Sequence, residues 1–262
     1  MKSFNEDEKG LGIGQRGIDN VKDGTSITPY IYHAKEKKSL TDEGEFIKFL
    51  TKSRPKDVKN APLSIELPSS LYNGMMERME LAKSDEDIGK EYGGRFGYQD
   101  LPHGHSCMVV GYVEGDFGNI NLREAERYFP HAKWIGSFHT HLYILELGGK
   151  HNIVGWLGGG HSGTDVANFF RRGDEELISL VVAENPSVAF ERKIYCLLKT
   201  LEYSIPGSPS DVGRNYENKV IKLMAQKKLD QISASEQELA YLSRKGAFAF
   251  YTSTNDKVLK KT

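Results

Sequence analysis

A mixed α/β fold, with strands meeting in one central sheet and helices covering it, is predicted by three observations. Short apolar runs at 107–113, 134–138, 177–183 and 190–198 have the length and composition of strands. Around them, apolar residues recur at helical spacing over 69–82, 166–172 and 217–244. No internal repeat is present, and 262 residues are enough to bury one full core.

The first 60 residues read as a lead-in rather than as core. They are rich in glycine and charge, with one short helix expected near 42–50. Gly12, Gly14 and Gly17 form a Gly-x-Gly-x-x-Gly, but it follows no apolar strand and opens no helix, so it does not read as a nucleotide loop. The dense part begins at Pro62. Alternation in Leu63-Ser-Ile-Glu-Leu67 predicts a half-buried strand. Pro68-Ser-Ser70 then starts a helix whose buried face is Leu71, Met75, Met79 and Ala82. A charged stretch leads to Glu91-Tyr-Gly-Gly-Arg-Phe-Gly-Tyr98, and a short helix is expected at 122–128. Residues 217–244 read as helical with a break near 229–235. The domain reading is an N-terminal extension over 1–60, a catalytic domain over 61–205 and a C-terminal helical extension over 206–262.

Composition excludes several classes. Hydrophobic residues make up 38% and charged residues 27%, an ordinary globular balance. A net charge of -1 supplies no field for nucleic acid or an anionic membrane. No stretch approaches a membrane span, and the N-terminal residues lack the apolar core of a signal peptide. The two cysteines, Cys107 and Cys196, lie in apolar runs and read as buried free thiols, so a reducing, cytoplasmic setting is expected. Delivery into a target cell by a route that uses no N-terminal signal fits equally.

The sharpest chemical feature is His139-Thr-His141, which closes an apolar strand. Strand residues i and i+2 point to one face, so the two imidazoles can grip one ion with little reorganisation. His103-Gly-His105 has the same spacing but sits in a polar loop between Pro102 and Ser106, and is assigned to the surface. Twenty residues (142–161) after His141 comes Ser162-Gly-Thr-Asp165 at a helix start. That pattern caps a helix, and it also sets Ser162 and Asp165 on one face of the first turn. Two histidines and one aspartate meet the three-ligand requirement of a catalytic zinc site, with a fourth position left for water. His151 and His161 remain open as substitutes for Asp165. Glu91 opens a glycine-rich segment where backbones can approach closely, but spacing alone does not separate it from a solvated glutamate.

Taken in order, these elements resemble the JAMM zinc metallopeptidases, also called MPN-plus or JAB domains. The shared features are a strand and helix, Glu91-Tyr-Gly-Gly, a strand ending in His139-Thr-His141, and Ser162-Gly-Thr-Asp165, spread over about residues 62–200. Two features depart from the family pattern. Leu142 stands where proline is common, and 23 residues (142–164) separate His141 from Asp165, where about ten are usual.

The resemblance implies a cytidine-deaminase-like, MPN-type sheet and a Zn²⁺ ion on His139, His141 and Asp165. It implies Glu91 as the general base and Ser162 as an oxyanion donor. The implied reaction is hydrolysis of peptide or isopeptide bonds in a protein or peptide substrate, often at the C-terminus of ubiquitin or a ubiquitin-like protein. A bacterial JAB-type toxin or effector acting on another amide, and a catalytically silent MPN scaffold, are the competing readings. A scaffold needs none of the four polar side chains.

The segment between His141 and Ser162 carries more apolar residues than a free loop should, among them Leu145, Ile153 and Trp156. Two apolar runs about a Gly-Gly turn predict a hairpin flanking the cleft, with these three residues touching substrate.

Overall fold

The computed structural model describes residues 29–30, 37–84, 90–100, 106–117, 120–141, 160–184 and 191–262. They build a mixed α/β fold around one nine-stranded sheet. In chain order the elements are β1 (Pro29–Tyr30), α1 (Lys37–Lys52), β2 (Ser64–Glu66), α2 (Ser69–Ser84), β3 (Lys90–Asp100), β4 (Ser106–Phe117) and β5 (Lys133–His141). There follow α3 (Gly163–Arg171), β6 (Ile178–Glu184), β7 (Arg192–Leu198), α4 (Pro209–Lys227), α5 (Gln231–Arg244), β8 (Ala249–Thr254) and β9 (Val258–Lys261). The strand order is β1-β4-β3-β5-β6-β7-β8-β9-β2. Only β5 and β6 pair in parallel among the described strands, and the connection between them contains α3. A helix in the connection is what a parallel pair requires, since no tight turn can join strands running the same way.

Alternation along the central strands separates two cores. Ile178, Leu180 and Val182 of β6, with Ile194, Cys196 and Leu198 of β7, pack on one side with Phe46 and Leu50 of α1 and with α2. Leu71, Met75 and Met79 line the buried face of α2, and Ala82 is buried with them, as their spacing predicts. Val181, Ala183, Tyr195 and Leu197 face the other way, against Val166 and Phe169 of α3, Val212 and Tyr216 of α4, and Leu239 of α5. Phe138 belongs to the first core. Its neighbours His139 and Ser137 therefore point toward the α3 side.

Buried charges lock this side together. Arg95 of β3 is fully buried; it donates to Glu126 and, at 2.6 Å, to the Glu175 carbonyl, and lies 3.7 Å from Glu176. Glu176 also accepts from Ser137 of β5. Buried Lys199 donates to the carbonyls of Phe169, Gly173 and Glu176, which anchors the end of α3 to the strand pair β6–β7. Burial lowers the Lys199 pKa to about 8, against the opposing pull of Glu176.

Several sequence expectations need correction. The segment 206–262 is not a helical extension. After α4 and α5 it forms β8 and β9, which pair with β7 and β2 and bring the chain's last strand beside its early one. The helix near 42–50 is longer, Lys37–Lys52, and contributes Phe46, Ile47 and Leu50 to the core. The expected helix at 122–128 is a 3-10 turn, Leu122–Arg127. Both cysteines are free, but Cys107 is only half-buried whereas Cys196 is buried. No helix among the described residues is long and apolar enough to cross a membrane.

Candidate metal centre

The site forms where β5 ends beside the start of α3. β3 and β5 pair antiparallel with Gly93 opposite His139, and across such a pair opposed residues share a face. Glu91, two residues before Gly93, therefore joins His139 and His141 on the α3 side. A bulge in the β3–β4 pairing at Lys90–Tyr92 falls on this glutamate. The Tyr92 N–H donates to Thr140 Oγ1 at 3.0 Å, which ties the glutamate's strand to the residue between the two histidines. Gly93 is a steric requirement: a Cβ there would stand 2.4 Å from the Phe138 carbonyl oxygen and 2.9 Å from His139 Cβ.

Ser162 is the N-cap of α3, as its position in the sequence predicts. Its hydroxyl accepts from the Asp165 N–H at 3.2 Å, and its own N–H donates to the Asp165 carboxylate at 2.7 Å. This capping box fixes the Asp165 side chain toward the strand end. The turn is held from behind as well: Tyr216 of α4 donates to the His161 carbonyl at 2.8 Å, and Ser235 of α5 meets the Tyr216 hydroxyl at 2.6 Å.

Three donor atoms converge, from His139, His141 and Asp165, all within 4.8 Å of one another. His139 Nε2 lies 3.1 Å from His141 Nε2 and 3.4 Å from Asp165 Oδ2, and His141 Nε2 lies 3.9 Å from that same oxygen. A small ion in tetrahedral coordination, with bonds of about 2.0–2.1 Å, sets its ligand atoms roughly 3.3 Å apart, so this triangle fits one. The group could hold a metal ion. Glu91 Oε1 is 3.9 Å from His141 Nε2, beside the triangle and outside it. Both histidines and Glu91 are buried, while Ser162 and Asp165 are half-buried at the mouth.

Burial works against a charged His139 ring, but Asp165 and Glu91 outweigh it and raise its pKa to about 9. Burial would lift Asp165, yet His139 and His141 hold its carboxyl far below the usual range. Burial raises Glu91 to about 7, with His139 opposing and Asp165 reinforcing. The Asp165 carboxylate thus favours the charged form of the His139 ring beside it. His139 Nδ1 finds no hydrogen-bond partner among the described residues. The ring is oriented from its other side, where Nε2 lies 3.4 Å from Asp165 Oδ2.

The residues anticipated from the sequence are brought together: Glu91, His139, His141, Ser162 and Asp165 lie side by side at the end of β5. His161 does not take the place of Asp165. Its Nε2 lies 3.1 Å from Ser179 Oγ, and burial lowers its pKa to about 3, leaving it neutral. Leu145, His151, Ile153 and Trp156, the expected hairpin, and the His103–His105 pair lie outside the described residues, as do Gly12, Gly14 and Gly17. Sequence reasoning missed Arg95, Glu176, Lys199 and Tyr216, which brace the site. A signal for Arg95 existed, since Glu91, Gly93 and Arg95 alternate on one strand face.

Comparison of the chain with protein-family models, curated proteins and solved structures gives no match.

Proposed function

We propose that this protein is a zinc-dependent hydrolase of peptide or isopeptide bonds, of the JAMM type. The observation that carries the reading is the Glu91–His139–His141–Asp165 constellation. Two neutral-capable imidazoles and one carboxylate are a donor set suited to zinc, and a separate buried carboxylate stands next to it. When bound, zinc would acidify a water and polarise a carbonyl group. His139 and His141 would present Nε2 to it, and Asp165 a carboxylate oxygen, held in place by the Ser162 N–H.

The remaining chemistry falls to the chain's own groups. Glu91, a buried carboxylate beside the triangle, is placed to take a proton from water and later return it. Its carboxylate would remove that proton and deliver it to the nitrogen of the departing amine. Ser162 Oγ uses a lone pair to cap α3 and keeps its own proton, which it would donate to the oxygen that becomes negative as the amide carbon turns tetrahedral. Burial of the floor excludes bulk water and strengthens both interactions.

A cleavage panel tests the reading: isopeptide-linked ubiquitin chains, ubiquitin-like precursors and short peptide amides, each with and without a chelator. Cleavage of at least one amide class, lost on chelation and restored by zinc, supports it. Cleavage that survives complete zinc removal contradicts it.

A further inference from the structure

Between α4 and α5 lies a second cavity of about 540 Å³, within the roughly 300–1,000 Å³ typical of small-molecule sites. None of the candidate metal-centre residues lines it. Its floor is apolar, with Val212, Leu242 and Ala247 buried there. Its rim is cationic: Lys219, Lys222 and Lys245 face a single lining carboxylate, Glu238. Lys219 is engaged, 3.3 Å from Glu238 and 4.4 Å from the centre of the Tyr241 ring. Lys245 sits 5.5 Å from the same ring. Neither Lys222 nor Lys245 is ion-paired with another described residue. Glu238 is buried and paired with Lys219, which offsets its charge toward an incoming anion.

We propose that this cleft binds a small organic anion, an acidic head group carried on a short apolar body. The head would meet Lys222 and Lys245 at the rim, and the body would lie on Val212, Leu242 and Ala247. Both parts are needed. Exposed ammonium groups hold a bare anion weakly because water and salt screen them. A neutral apolar molecule would gain the floor and leave the two lysines unanswered.

Calorimetric titration of the full chain tests this, with octyl phosphate and octanoate as probes and inorganic phosphate and octanol as controls carrying one feature each. At least one amphipathic anion should bind about tenfold or more tighter than either control, and added salt should weaken it. A preference for the phosphate or the carboxylate supports the proposal and names the acid. The double variant Lys222→Glu, Lys245→Glu should lose about tenfold or more in affinity. Both side chains are exposed, so its melting temperature should hold. The proposal is overturned if neither anion binds better than the controls, or if the double variant binds as the wild type does.

Discussion

Gly93 and His139 stand opposite one another across β3 and β5, and the space a side chain at 93 would need is already taken by the histidine and by the Phe138 carbonyl. The close approach of these two strands brings Glu91 within 3.9 Å of His141.

Gly93→Val should therefore damage the site from the backbone outward. Overpacking of this kind costs about 1–3 kcal/mol, and here it would push β5 away from β3. Thermal melting and zinc content should both fall. Gly44→Ala, inside α1 and with nothing within 4 Å of its added carbon, should leave zinc content unchanged and raise melting slightly. A Gly93→Val protein with wild-type zinc content would show that the tight pairing is not needed.

Glu91→Gln and Ser162→Ala separate chemistry from metal holding. Glutamine keeps the shape of the buried side chain but cannot take a proton, so turnover should fall roughly a hundredfold or more while zinc is retained. Ser162→Ala should lower turnover on a similar scale by removing an oxyanion donor. It should also weaken the cap of α3 by about 1 kcal/mol, visible in melting. Full turnover in Glu91→Gln would assign the base elsewhere.

Zinc and protons should compete. At pH 8 His139, with a pKa raised to about 9, is protonated in the metal-free protein, so zinc binding should release about one proton from it. Titrations in two buffers of different ionisation heat would count that proton. Stability follows the same linkage. The His139 contribution is fully present below its ordinary value of 6.5 and is lost as pH rises through about 9. Glu91 acts in the same direction: its folded pKa lies above 4.5, so its contribution fades as pH rises through about 7. Asp165 is shifted downward and matters only as pH falls below 3.8. His161, lowered to about 3, offsets Glu91 below about pH 6.5, and Lys199, lowered to about 8, offsets His139 above about pH 8. Melting of the metal-free protein should thus decline chiefly between about pH 6.5 and 8, and zinc should flatten the decline. Equal slopes with and without zinc would contradict this.

How much of this was legible in the sequence depends on the range of the interactions. The histidine pair could be read because alternation is a local rule, and Asp165 because a capping motif is also local. The buried face of α2 was legible for the same reason. Glu91 gains its place only when β3 pairs with β5, and no local pattern in its glycine-rich segment announces that partner. β8 did carry a local signal, the buried apolar run Phe248-Ala-Phe-Tyr251, which the expectation of a helical extension passed over, whereas Val258-Leu-Lys-Lys261 of β9 resembles a solvated tail. Their identity as strands comes from pairing with β7 and with β2, nearly the whole chain away. Burial of Arg95 and Lys199 becomes tolerable only through the carbonyls and carboxylates that the fold gathers around them. Tyr216, which holds the turn before Ser162 from α4, lies in the segment expected to be a mere extension.

Metal content, measured on purified protein and its variants, tests the central claim most directly. Wild type should carry about one zinc per chain, and His139→Ala, His141→Ala and Asp165→Ala should each lose most of it, because two remaining ligands hold zinc poorly. Glu91→Gln and the double variant His103→Ala, His105→Ala should keep it. Loss of zinc from the 103/105 variant with retention in His139→Ala and His141→Ala would place the metal elsewhere and contradict the account.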